Sequence, residues 1–407
     1  MFYLSHTLAN GIRVVHKPDE SPVAYCGLII NTGTRDEAPH EQGMAHFVEH
    51  LLFKGTARRR ATHIINRLEN VGGELNAYTN KEETVVYAVM LAEDFERAME
   101  LTADMVFNSI FPEYELEKEV EVILDEIMSY NDNPSELIFD DFETCLFPNS
   151  ALGYNILGKE DLLKNYTRQD VLNFVKNNYY TDEIVFFSLG NIDFQKIVRW
   201  AEKYLGNQAK HLRSNPRQSP PKDKPAGEIS LQKNTHQTHF MLGGRAYELP
   251  HPDRLGLYLL NNILGGPGMN SLLNLSLRER RGLAYNVESS YSAYTDTGVW
   301  ATYLACDRKN INKCRQLVNS ELQRLQQTLL PDSKLHKYKK QLMGQLAISS
   351  ANKETLALNM GKSFLRFNEI ESIDEIRTRL EKITAGQLQR IAREIFNTEE
   401  LLALSYK

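Results

Sequence analysis

The run Gly43-Met44-Ala45-His46-Phe47-Val48-Glu49-His50-Leu51-Leu52-Phe53 sets two imidazoles and a carboxylate at the spacing H-x-x-E-H. On an α-helix, residues i and i+4 stand one turn apart on one face, so His46 and His50 can converge on a single ion with Glu49 beside it. Imidazole nitrogens suit zinc, which lowers the pKa of a bound water to about 7, and an adjacent carboxylate can then act as general base. The expected chemistry is hydrolysis. Met44, Phe47, Val48, Leu51 and Leu52 fall at helical spacing on the opposite side, which buries one face and leaves His46, Glu49, His50 and Phe53 on the other. With 11 histidines and 53 acids in 407 residues, such a pattern arises by chance only about 0.04 times per chain. His6, His63 and His336 stand alone and read as solvated or capping residues.

A catalytic zinc takes three protein ligands and keeps a fourth position for water. The acid-rich segment Glu113 to Tyr130 is the natural donor, because Leu116, Val120, Ile123 and Ile127 form an apolar stripe that docks it to a core. Glu119 and Glu126 border that stripe, two turns apart, whereas Glu115, Glu117, Glu121 and Asp125 read as a solvated face. Periodicity leaves both Glu119 and Glu126 as candidates for the third ligand. The glycine-rich Gly265-Gly266-Pro267-Gly268 lacks the G-K-[ST] ending of a phosphate loop, so it reads as a turn and not a nucleotide site.

The elements that must position these groups are mixed from end to end. A strand is expected over 23–31, a helix over 43–53, a strand over 84–91, and long helical patterns up to about residue 200. Ser214 to Pro225 holds four prolines and no core-forming residue, as a linker should. The expected division is a zinc-binding domain at 1–213, a linker at 214–228 and a second domain at 229–407. That second half reopens with a strand at Thr238–Leu242, then Pro250-His251 and an apolar helix from about Arg254 to Leu264. Shifting by 211 residues sets His46, Glu49 and His50 against Leu257, Leu260 and Asn261. The second half is therefore expected to copy the fold without the site.

Composition narrows the class further. With 42% hydrophobic and 25% charged residues the chain reads as globular, and a net charge of −6 with no long basic run argues against nucleic-acid binding. Arg58-Arg59-Arg60 reads as a solvated helix start. Cys26, Cys145, Cys306 and Cys314 lack a C-x-x-C pair and read as reduced thiols. There is no basic and apolar leader pattern at Met1 to Ser5 and no membrane-length apolar run, so a soluble, cytoplasmic protein without a membrane role is expected.

Several blocks together resemble the pitrilysin (M16) metallopeptidase family, in particular its bacterial processing-peptidase-like members. H-x-x-E-H is the inverzincin signature. The block Gly43 to Thr56 resembles the family's active-site helix, Gly72-Gly73-Glu74-Leu75-Asn76-Ala77-Tyr78-Thr79 its following strand, and Glu119 to Glu126 its distal glutamates. The resemblance implies Glu126 as third ligand and Glu119 as a supporting acid, with one Zn2+ per chain. Val120 departs from relatives that often carry arginine there. Leu277 to Tyr285 resembles the family's substrate-binding segment, which implies that Arg278 and Tyr285 bind substrate. It further implies an α+β fold of two similar α/β domains, each a mainly antiparallel sheet packed with helices.

The expected activity is that of a zinc endopeptidase with Glu49 as general base. Peptides or unfolded segments would bind in extended form on a sheet edge near Asn76 and Ala77, since main-chain pairing tolerates many sequences. Family members enclose a chamber between two halves, and a chain of this length supplies one half. The resemblance thus implies a homodimer, with a heterodimer of related chains as the other arrangement. A catalytically silent scaffold subunit is the alternative, but such partners lack parts of the motif, and here His46, Glu49, His50, Glu119 and Glu126 are all present. A zinc hydrolase of small molecules would rest on the metal helix alone.

Overall fold

A computed structural model describes residues 2–214, 216–221, 223, 225–233 and 235–407. In chain order the first half carries β1 (Leu4–Thr7), β2 (Arg13–Pro18), β3 (Val23–Ile30), α1 (Met44–Leu51), α2 (Ala61–Glu69), β4 (Glu74–Thr79) and β5 (Thr84–Leu91). There follow α3 (Phe95–Asn108), α4 (Glu113–Asn131), α5 (Pro134–Leu146), α6 (Glu160–Leu163), α7 (Arg168–Asn178), β6 (Ile184–Gly190) and α8 (Phe194–Tyr204). The second half adds β7 (Gly227–Leu231), β8 (Thr238–Ala246), α9 (Arg254–Gly265), β9 (Ala284–Ala293), β10 (Gly298–Cys306) and α10 (Ile311–Gln327). It ends with α11 (Asp332–Ala351), α12 (Lys353–Phe367), α13 (Ile373–Lys382), α14 (Ala385–Ile395) and β11 (Leu402–Tyr406).

The chain forms two compact units that interleave in sequence. The first holds 1–127, 154–217 and 348–372; the second holds 128–153, 218–347 and 373–407. A single cut at residues 214–228 does not reproduce this, because the expected first domain gives 128–153 to the second unit and the expected second domain gives 348–372 to the first. Asn215, Lys222 and Lys224 of the proline-rich stretch lie outside the described residues.

In the first unit the strand order is β1-β2-β6-β3-β5-β4, antiparallel except for the parallel β2–β6 pair. Side chains alternate across a strand, and the sequence fills both faces. Val14, Leu28, Val86 and Phe186 point into a core shared with α1, α2, α3 and α7. Their neighbours Val15, Ile29, Val85 and Phe187 face Ala357, Met360 and Phe364 of α12. Gly361 lets that helix sit close, since a Cβ there would lie 2.7 Å from Ile29 Cδ1 and 2.9 Å from Phe187 Cγ.

The second unit has the order β7-β11-β8-β10-β9, with β7–β11 parallel and the other pairs antiparallel. This repeats the order and directions of β2-β6-β3-β5-β4, as the 211-residue echo predicted. One face packs on α9, α10 and α14 through Phe240, Leu242, Trp300 and Leu304. The other packs Met241, Tyr303, Leu404 and Tyr406 against Leu137, Ile138 and Phe142 of α5. Each sheet thus buries its second face under a helix from the other half of the sequence, which is why the units interleave.

Arg217 lies within the expected solvated linker but is almost wholly buried. Its guanidinium holds Asp36 at 2.6 Å and reaches Glu82 at 3.6 Å, while Arg213 meets the other oxygen of Asp36 at 2.7 Å. Arg59, expected to be solvated, instead binds Glu100 at 2.8 Å and Asp104 at 2.6 Å on α3. The buried acids supply a partner that the local sequence does not reveal.

Candidate metal centre

The helix α1 is fixed at its start by two devices. Gly43 has φ +92°, a left-handed conformation that disfavours a side chain, and a Cβ there would lie 2.7 Å from the Cα of Gly158. The first-turn N–H groups, which have no partner within a helix, are met by the buried carboxylate of Glu37. Gly43 N–H donates to its Oε2 at 2.9 Å and Ala45 N–H to its Oε1 at 2.8 Å. Burial pushes the Glu37 carboxyl well above its usual range in spite of these two donors.

One turn later the imidazoles converge. The His46 and His50 rings lie 4.6 Å apart, edge to face at 66°. Both Nε2 atoms stand 3.8 Å from Oε2 of Glu126. His46, His50 and Glu126 present ligand atoms that all lie within 4.8 Å of one another. Donors about 2.1 Å from a tetrahedral zinc are roughly 3.4 Å apart, so the two Nε2–Oε2 separations of 3.8 Å are within a few tenths of an ångström of that spacing.

The protonation states also suit a metal. Burial, with the charge of His50 adding to it, pushes the His46 imidazole down to about 3, so it is neutral at ordinary pH. In the neutral His50 ring that donates Nδ1–H to Oε2 of Glu119 at 3.2 Å, the lone pair is on the Nε2 that faces Glu126. Metal-ligating histidines commonly use such a carboxylate to fix the ring. Burial would raise the Glu119 carboxyl, but the hydrogen bonds from His50 and Lys54 outweigh it and hold the group below its usual range. Lys54 Nζ lies 2.6 Å from Oε1 of Glu119. The donor set therefore fits zinc, with Glu126 on the open side and Glu119 behind His50.

Glu49 is largely buried beside His50. Its Oε2 has no hydrogen-bond partner in the protein. Burial raises its pKa, against hydrogen bonds from the side chain and backbone of Thr79 at the end of β4. A buried carboxylate with a free oxygen and a raised pKa is well suited to accept a proton.

Asn76 and Ala77 lie on β4, the edge strand that packs against α1. They pair inward with Tyr87 and Val86 of β5, so the other edge of β4 has no strand partner among the described residues. Arg278 and Tyr285 belong to the second unit. Arg278 sits on the π-helical segment Asn274–Glu279 and lines a cleft of about 320 Å³ with Asn262, Glu288 and Ser289. Tyr285 is 83% exposed near the start of β9, the edge strand of the second sheet. The structure thus brings His46, His50 and Glu126 together with Glu49 and Glu119 in the first unit, and Arg278 and Tyr285 belong to the second. Sequence reasoning missed Glu37, Thr79 and Lys54. Only Lys54 carried a local signal, standing one turn beyond His50.

Fold and site together define a two-unit α+β protein with an H-x-x-E-H helix and a distal glutamate. The family model described as Insulinase (Peptidase family M16) matches residues 13–160, and the one described as Peptidase M16 inactive domain matches residues 165–342. The chain is 32% identical to an uncharacterized zinc protease of Bacillus subtilis, YmxG, over 98% of this chain and 97% of that one. It is 29% identical to the mitochondrial-processing peptidase subunit beta of Mus musculus, over 94% of this chain and 80% of that one. A solved protease structure from Helicobacter pylori superposes with a TM-score of 0.91 at 22% identity, covering 100% of this chain and 99% of that one. The chain belongs to peptidase family M16.

Proposed function

We propose that this chain is a zinc-dependent endopeptidase that cleaves peptides or unfolded segments. The observation that carries the reading is the approach of His46 Nε2, His50 Nε2 and Glu126 Oε2 to one point, with the unpartnered Oε2 of Glu49 on the same helix. Zinc held by His46, His50 and Glu126, one per chain, would supply Lewis acidity to the attacking water and the scissile carbonyl.

Glu49 takes the proton of that water on its free oxygen and returns it to the leaving amine nitrogen. Glu119 holds His50 in the required tautomer and does not touch substrate. An extended peptide adds to the open edge of β4 at Asn76 and Ala77, so that main-chain bonds present a peptide carbonyl to the site regardless of side-chain sequence. Arg278 and Tyr285, as exposed polar groups on the second unit, contact the bound peptide or its developing charge. We further propose a homodimer, with a heterodimer of related chains as the alternative that size and composition measurements separate. A cytoplasmic location is part of this reading; among the described residues no helix is long and apolar enough to cross a membrane.

The test is digestion of a peptide library by purified protein, with and without chelator. Cleavage that stops on chelation and returns with zinc supports the reading. A metal-loaded protein that cleaves nothing supports the silent-scaffold alternative.

A further inference from the structure

We propose that Lys54 is a positioning residue for the metal centre, acting through Glu119 on His50; the inference rests on the functional reading above. The backbone brings these groups together. Beyond α1 the chain continues in a tight turn, with Phe53 N–H bonded to His50 O at 3.3 Å and Lys54 N–H to Leu51 O at 3.1 Å. The next residues are tied to the connection that leads into α4, through Ile110 N–H to Gly55 O at 3.1 Å and Ala57 N–H to Asn108 O at 2.9 Å. The Lys54 turn is thereby held against the segment that carries Glu119.

Glu119 has a side chain only 6% exposed, and each of its oxygens has one task. Oε1 receives Lys54 Nζ at 2.6 Å, and Oε2 receives His50 Nδ1 at 3.2 Å. A buried carboxylate oxygen left without a donor is costly, so removing the ammonium favours rotation of the carboxylate away from His50. The imidazole then loses the bond that fixes both its ring angle and the position of its proton. Exposed ion pairs contribute little, but this pair is short, charge-assisted and closed off on the acid's side. Lys54 therefore reaches the metal through two bonds without touching it.

The test measures zinc dissociation constants by competition with a chromophoric chelator on the full chain. Lys54→Met should bind zinc at least about tenfold more weakly, the lower end of the range for outer partners of metal ligands. Lys54→Arg, which keeps the charge and a donor, should recover most of that loss. Because Lys54 acts through Glu119, Lys54→Met/Glu119→Ala should bind no more weakly than Glu119→Ala alone. Thermal unfolding of the metal-free proteins checks that each is folded, and Lys54→Leu takes the place of Lys54→Met if the latter is not. Wild-type zinc affinity in the folded Lys54→Met protein, or losses that multiply in the double variant, would overturn the role of Lys54. A wild-type chain that takes up no zinc would instead overturn the functional reading.

Discussion

Glu49→Gln isolates the proton transfer from everything else the site does. The amide matches the carboxylate in size and still offers one oxygen to the bonds from Thr79. What changes is Oε2, an atom with no protein partner, which becomes an NH2 group unable to take a proton. A general base is worth about 10²- to 10⁴-fold, or roughly 2.7 to 5.4 kcal/mol of barrier at 1.36 kcal/mol per decade. None of the three ligand atoms is altered, so zinc content should stay at the wild-type value. The assay is kcat/KM on a fluorogenic peptide, with metal content by elemental analysis and a thermal melt on the same preparation. A drop of at least about 10²-fold at full zinc loading is expected. Near-normal turnover in metal-loaded Glu49→Gln would refute the assignment of Glu49 as base.

The other predictions concern the ligands and the buried ion network. Glu126→Gln should arrive with far less zinc than Glu119→Gln, because the first removes a ligand atom and the second only a partner of His50; elemental analysis decides, and an empty Glu119→Gln beside a loaded Glu126→Gln would reverse the two roles. Burial alone would raise the Asp36 carboxyl, but the Arg217 and Arg213 guanidinium groups outweigh it and hold the pKa below its usual 3.8. The stability Asp36 contributes is therefore present above the unfolded pKa and is lost as pH falls through the folded one. Asp36→Asn should cost about 3 kcal/mol at neutral pH in denaturant unfolding, a gap that narrows in strong acid; a gap independent of pH would contradict this.

The helix of the candidate metal site was legible because its pattern is local. Met44, Phe47, Val48 and Leu51 repeat at 3.6 residues and are all buried, and the nearly continuous apolar run of β5 marks a strand at Thr84–Leu91. Periodicity could not separate Glu119 from Glu126, because residues two turns apart share a helix face. Three-dimensional partners separate them: Glu119 is closed in by Lys54 and His50, while the 45% exposed side chain of Glu126 points at both Nε2 atoms. The same limit explains Arg59 and Arg217, whose acids come from elsewhere in the fold. It also explains the interleaved units, since the apolar stripes of α5 and α12 announce a buried face without naming the sheet that buries it.

In the proposed function, His46, His50 and Glu126 hold one zinc that peptide cleavage requires. Its most direct test is a single titration: wild-type protein is stripped with chelator, zinc is returned in known amounts, and peptide cleavage is followed against zinc bound per chain. No cleavage is expected in the stripped protein, with recovery that saturates at about one zinc per chain. Cleavage that persists in metal-free protein, or zinc bound at that ratio with no cleavage of any peptide in a diverse library, would contradict it.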